Sequence, residues 1–295
     1  MKKCAPILAA LLLTIDAHAR TLLDDPFNAD LRGTNPNTNV NLDVLLRQSG
    51  GTHTTTYTET NISTGDALLQ TLIGGSFADQ TVLRLLTLST NGQSASTAGV
   101  RTDTNFANAL VGRKYEISFS AAFELAGTPS DDFWGSFYIT DGPSTTPTGP
   151  TTRYAYIFRE RNSNNMVFYK DGVSTPTTIT ENGRSYFKSS TIYTFNIKVD
   201  EEKGLVDTVI NQGLPNERLL PERLIEFNNS SNRYFGFRAN QSDATGLGDL
   251  LINDFKIVEI LEEQESTYVD IPETSTYALF SGFAALALVF NRRRR

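Results

Sequence analysis

The sequence predicts an all-β protein built as a two-sheet antiparallel β-sandwich or jelly roll. Two stretches alternate strictly. In Tyr115–Glu124, Tyr115, Ile117, Phe119, Ala121 and Phe123 oppose Glu116, Ser118, Ser120 and Glu124. In Thr191–Asp200, Tyr193, Phe195, Ile197 and Val199 oppose Thr194, Asn196, Lys198 and Asp200. Period two with one wet face is the pattern of antiparallel strands in a half-buried sheet. No stretch between residues 20 and 270 sustains a 3.6-residue apolar period capped at both ends.

Taken along the chain, further strands are expected at Thr54–Thr60, Val82–Ser89, Phe133–Thr140, Arg153–Arg159 and Met166–Lys170. Leu205–Ile210, Arg233–Arg238 and Asp249–Ile260 complete the set. Asn164-Asn165, Asp171-Gly172 and Glu201–Gly204 lie between or beside these runs, where tight turns need residues that tolerate positive φ. Alternation fails at Asn253-Asp254, which predicts a bulge in the last strand. Many short strands with short turns favour a sandwich over a barrel.

Both ends of the chain read as addresses. Met1-Lys2-Lys3 precedes an apolar run from Ala5 to Ile15, and Asp16-Ala17-His18-Ala19 follows. A positive start, a short apolar segment and small residues at Ala17 and Ala19 make a signal peptide over residues 1–19, cut by signal peptidase after Ala19. At the other end Pro272-Glu273-Thr274 leads into an uncharged run from Tyr277 to Phe290, closed by Arg292, Arg293, Arg294 and Arg295. As a helix that run would rise about 21 Å, and snorkelling arginines would bring it nearer to a membrane span. The arginines hold the C-terminus on the cytoplasmic side of the inner membrane, as Lys2 and Lys3 hold the N-terminus. The expected organisation is therefore a leader at 1–19, a sandwich at 20–262, a linker at 263–271 and a membrane-directed tail at 272–295.

The tail's order, Pro-Glu, Ser-Thr-Tyr-Ala-Leu, an apolar stretch with Gly282, Ala284, Ala285 and Ala287, then an arginine cluster, resembles a PEP-CTERM sorting signal. The resemblance covers about the last 24 residues, and Thr274 stands where the family has a second proline. It implies export by a bacterium that makes exopolysaccharide, and processing near the motif by an exosortase, a membrane-embedded transpeptidase. The destination it implies is the outer surface or extracellular matrix. In the body, Phe27-Asn28-Ala29-Asp30-Leu31-Arg32-Gly33-Thr34 and the stretch Arg233–Ile260 resemble concanavalin A-like, or laminin G-like, jelly rolls. That fold carries lectins, glycanases, lyases and inert spacers, so it does not decide function.

Composition excludes several chemistries. Cys4, the one cysteine, and His18 fall in the leader, leaving His53 as the body's single histidine. Disulfides, cysteine zinc sites, iron–sulfur clusters and multi-histidine metal sites are excluded. A Ser-His-Asp triad could be built only around His53, which reads as a solvent-facing strand residue. Between residues 20 and 271 there are 20 basic and 31 acidic residues, a balance that argues against nucleic acid.

Catalytic carboxylates of a glycanase would alternate along one strand, and no such strand occurs. Asp200-Glu201-Glu202 sits at a turn, Asp131-Asp132 are adjacent, and Glu222 and Glu226 flank Arg223 in a loop-like region. No catalytic residues are therefore assigned. Asp131-Asp132 and Asp249 with Asp254 are candidate calcium ligands, although acids solvating loop ends show the same pattern.

Trp134 and Tyr138 share a strand face with Ser136, and Tyr154 and Tyr156 open the next strand after the loop Asp141–Thr152. Such rings either stack on sugar or fill the core. The sequence places a non-enzymatic structural or adhesive matrix role first, a lectin-like module for exopolysaccharide second, and a polysaccharide-active enzyme third.

Overall fold

The computed structural model describes residues 19–27, 40–41, 49–62, 65–89, 96–127, 134–142, 152–159, 165–170, 173–178, 180–181, 184–185, 187–224, 232–241 and 246–261. The leader, the sorting tail and the Phe27–Thr34 stretch beyond Phe27 lie outside them, as do Asp131 and Asp132. Among the described residues no helix is long and apolar enough to cross a membrane.

The strands are β1 (Arg20–Asp25), β2 (Val40–Asn41), β3 (Tyr57–Glu59), β4 (Asp66–Thr71), β5 (Thr81–Ser89), β6 (Ser96–Thr102) and β7 (Lys114–Gly127). There follow β8 (Trp134–Thr140), β9 (Thr152–Arg159), β10 (Asn165–Lys170), β11 (Val173–Thr178), β12 (Thr180–Glu181) and β13 (Arg184–Ser185). The last are β14 (Ile192–Asp200), β15 (Leu205–Ile210), β16 (Arg218–Leu219), β17 (Arg223–Leu224), β18 (Tyr234–Gln241) and β19 (Gly246–Ile260). A one-turn helix, α1, spans Ala107–Leu110.

A ten-stranded sheet runs β16-β15-β14-β7-β19-β5-β4-β2, with β1 on β19 and β17 on β15. A seven-stranded sheet runs β11-β10-β9-β8-β18-β6-β3, and β12–β13 form a small hairpin. Every ladder pairing in the sheets is antiparallel. The two-sheet antiparallel sandwich expected from alternation is the fold observed.

The alternation is what joins the sheets. Tyr115, Ile117, Phe119, Ala121 and Phe123 of β7 are buried, as are Tyr193, Phe195, Ile197 and Val199 of β14. Phe119 stacks on Phe195 within its own sheet, centroids 4.8 Å apart, and meets Phe237 of the other sheet edge-on at 5.0 Å. Phe237 in turn contacts Phe255 of β19 at 5.1 Å and 83°. Offset and edge-to-face rings fill such an interior with favourable quadrupole contacts. Gly135 in β8 belongs to the same interface, since a Cβ there would lie 2.9 Å from Leu250 and 3.0 Å from Phe123. Only glycine lets the sheets approach that closely.

The predicted bulge is present. The β19–β7 register shifts between Asn253 and Lys256, and Asp254 has φ 54°. Its effect is to divide one edge of β19 between two neighbours, β5 along Gly246–Ile252 and β1 along Phe255–Glu259. By contrast, the strand expected at Thr54–Thr60 contracts to Tyr57–Glu59. Thr55 Oγ1 accepts hydrogen bonds from the Asp103 and Thr104 amides at 3.1 and 3.0 Å, and Thr55 N donates to Ser49 Oγ. Side-chain hydrogen bonding of this kind competes with a ladder.

Candidate functional site

The aromatic residues singled out in the sequence are interior. Tyr154 and Tyr156 are fully or nearly fully buried, pack edge-on at 5.0 Å, and both touch Phe168. Tyr154 shares a hydrogen bond with Thr208 of the opposite sheet at 3.3 Å. The β8–β9 register pairs Tyr156 with Phe137 and Tyr154 with Ile139, both core residues, which turns these two tyrosines inward. They are packing residues rather than sugar contacts.

Tyr138 faces the other way, opposite Gly236 and Ala155, yet it too is fully buried. Its ring lies on Gly236, where an added Cβ would sit 2.3 Å from it, and its hydroxyl donates to Val100 O at 3.4 Å. Burial raises the pKa of all three phenols above the ordinary value. Tyr138, expected as a candidate sugar contact, is a packing residue as well. Trp134 opens β8, and its indole lies outside the described side chains.

The acidic candidates do not converge. Asp249 is buried and accepts from Arg84 Nε at 2.9 Å and Nη2 at 2.5 Å, while Arg84 Nη1 donates to Gln70 Oε1 at 2.6 Å. Burial pushes Asp249 up to about pH 6, with Arg84 opposing. Asp254 lies exposed at the bulge beside Lys256 and Asp24. With a guanidinium clasped on one carboxylate and the other in a different neighbourhood, Asp249 and Asp254 do not fit a shared calcium ion. Among the described residues no three His, Cys, Asp or Glu side chains group as metal ligands. His53 is half-buried in the loop before β3, its ring 6.1 Å from that of Phe106.

A different surface gathers polar groups and an accessible ring. In β18, Phe235, Phe237 and Ala239 enter the core, so Tyr234, Gly236 and Arg238 share the outer face of the seven-stranded sheet. The β6 register sets Arg101 opposite Gly236 and Arg238 opposite Gly99. Arg101 lies over the half-buried ring of Tyr234, 4.5 Å from its centroid. Beyond it, Asp103 accepts hydrogen bonds from Thr56 Oγ1 at 2.7 Å and from Thr58 Oγ1. Exposed Asn105 and Asn232 join two loops through a 2.6 Å hydrogen bond, and Asn232 Nδ2 donates to Asp141 O at 3.4 Å.

The loops are held from beneath. Asn105 Oδ1 accepts from the amides of Ala107 and Arg233 at 3.0 and 2.9 Å. Arg233, wholly buried, clasps Glu201 with Nε to Oε1 at 2.8 Å and Nη2 to Oε2 at 3.1 Å. Tyr115 donates to the same carboxylate at 3.0 Å. Burial first, then the Glu201 charge, raises the Tyr115 phenol well above its ordinary range, so it stays a donor. An aromatic face, a carboxylate and amides at one sheet end are the groups that position a polyhydroxylated ligand.

This surface was not picked out from the sequence. The available signal is Tyr234-Phe235-Gly236-Phe237-Arg238, where Phe at alternate positions assigns Tyr, Gly and Arg to the opposite face.

No family model matches the chain, and no curated protein matches it. Solved structures do. The carbohydrate recognition domain of Emp47p superposes with a TM-score of 0.50 and 11% identity, over 81% of this chain and 97% of that one. Lectin I from Ulex europaeus, solved with the methyl glycoside of α-L-fucose, gives 0.50 and 11% over 70% and 93%. The fold is a lectin-type jelly roll. At such identity the likeness concerns the fold alone.

Proposed function

We propose that this chain is an exported, non-enzymatic carbohydrate-binding module whose glycan site is the end of the seven-stranded sheet formed by Tyr234, Asp103, Asn105 and Asn232. The observation that carries the reading is the half-buried Tyr234 ring with Arg101 over it, on the same sheet end as exposed Asp103 and the linked Asn105 and Asn232. Support comes from the fold, which here resembles a carbohydrate recognition domain and a lectin solved with a fucoside. This puts glycan binding ahead of the structural or adhesive role that the sequence placed first.

Residues 1–19 deliver the body across the inner membrane, and the tail at 272–295 directs it through exosortase to the cell surface or matrix, where exopolysaccharide is the expected ligand. A glycan array probed with the wild type and Tyr234→Ala tests the binding function. Wild-type binding weakened about tenfold in the variant supports it, since a ring stacked on a ligand contributes on the order of 1 kcal/mol beyond its area. An array on which the wild type binds nothing returns the structural reading.

That second reading has its own observation. Leu219 and Leu224 are 71% and 66% exposed on the short strands β16 and β17 at the edge of the ten-stranded sheet. Exposed apolar edge strands invite self-association.

A further inference from the structure

One edge of the ten-stranded sheet carries leucines that the core does not use. Val206, Thr208 and Ile210 of β15 point inward and are buried, so Leu205, Asp207 and Val209 share the outer face. Register sets Leu224 of β17 opposite Leu205 and Leu219 of β16 opposite Val209, which places both exposed leucines on that same face. On the neighbouring strand β14, exposed Lys198 stands opposite Asp207.

This edge is poorly suited to strand addition. Leu220 turns into the core, its amide donating to Thr208 O at 2.9 Å, and Pro221 follows with no N–H to offer. The break divides the edge into two short strands, and short edges interrupted by proline are poor templates for another strand. The apolar side chains therefore offer a face rather than a ladder.

The face has a pattern of its own. Leu224 with Leu205 forms one apolar end, Val209 with Leu219 forms the other, and Asp207 lies midway. The two ends are separated by about 14 Å along the strand, at the usual rise per residue. Turned end for end by a two-fold axis running across the strands through Asp207, the pattern falls on itself: Leu219 meets Leu224, and Val209 meets Leu205. An isologous contact requires such a self-matching patch. At the axis two Asp207 carboxylates come together with two Lys198 ammonium groups, four charges that cancel. That balance matters in a chain of net charge −7, whose copies otherwise repel.

We infer that the outer face along β15 binds a second copy of this chain, as a closed two-fold pair seated on Leu205, Val209, Leu219 and Leu224. The inference goes beyond the glycan reading and does not rest on it, because the two draw on different sheets. A pair carries the candidate glycan site twice, and a polymer that engages both copies gains avidity without any new contact.

Sedimentation equilibrium of the exported protein, without glycan, tests the pairing. Leu219→Lys, Leu224→Lys and Lys198→Glu are run beside the wild type, and thermal melting checks that each variant is folded. The expected wild-type mass rises with concentration to a plateau at two copies. Each leucine substitution weakens pairing about tenfold or more, since a charge then takes the place of a buried leucine. Lys198→Glu gathers four acids at the axis and weakens it likewise. Tyr234→Ala pairs as the wild type does. A mass that stays at one copy overturns the inference, as does one that climbs past two copies. A dimer that none of the three substitutions weakens overturns it too. The glycan array, read separately, decides the binding function in every case.

Discussion

Arg233 and Glu201 form a two-pronged ion pair, 2.8 Å at the closer contact, with both side chains sealed from solvent. Glu201 comes from the β14–β15 turn, where an acidic run reads as solvated surface. Arg233 comes from the residue before β18, between Asn232 and Tyr234 of the outer surface. The pair thus ties the turn of one sheet to the strand of the other that carries the candidate site.

Breaking that pair on one side should be costly. Glu201→Gln leaves a buried guanidinium without its counter-charge, and a loss of about 3–5 kcal/mol is expected. Urea unfolding followed by far-UV circular dichroism measures it. A loss below about 1 kcal/mol would show that the pair is not sealed as described.

Asp249 imposes a pH dependence of a definite sign. Burial raises its folded pKa to about 6, against an ordinary 3.8 for the unfolded chain. The stability it contributes is fully present below about pH 3.8 and is lost as pH rises through about 6, an effect on the order of 3 kcal/mol. Glu124 acts in the opposite sense. Burial pushes it up, but hydrogen bonds from Ser190 and from the Ser76 amide and hydroxyl pull it below its ordinary 4.5. Its share is present above that value and fades as pH falls. The difference in stability between the wild type and Asp249→Asn should therefore change in the wild type's disfavour from pH 4 to pH 7, read from melts across that range.

Gly236→Ala tests the seat of Tyr138. The new Cβ meets the phenol ring at 2.3 Å, and overpacking of this kind costs roughly 1–3 kcal/mol. Combining it with Tyr138→Ser should recover part of that loss, because the three nearest atoms all belong to the Tyr138 phenol. A double-mutant cycle with no coupling would contradict the placement.

The strands that the sequence made legible are those with one wet face, β7 and β14 above all. Those it missed break that condition. In β4, Ala67, Leu68 and Leu69 are consecutive and all buried, and the other side of that sheet carries its own apolar cluster of Phe77, Val82, Ala122 and Leu251, so the sheet lacks a uniformly wet face there. In β1, Leu22 and Leu23 are both buried across a register shift. β6 pairs small residues with Gly99 and carries little apolar signal. The candidate site was illegible for a related reason: Tyr138, Tyr154, Tyr156 and Tyr234 look alike in sequence, and only cross-strand register separates an inward ring from an outward one.

Processing has its own readout. Intact-mass measurement of the protein recovered from outside the inner membrane should give an N-terminus at Arg20 and a C-terminus short of Arg295. A polypeptide still ending in Arg295 would remove exosortase cleavage from the account.

The most direct test of the central claim is an amide chemical-shift titration of the folded body with oligosaccharides from the producing cell's exopolysaccharide. Shifts concentrated at Arg101, Asp103, Asn232, Tyr234 and Arg238 are the predicted result. A saturable response confined to the ten-stranded sheet, or none at any concentration, would contradict it.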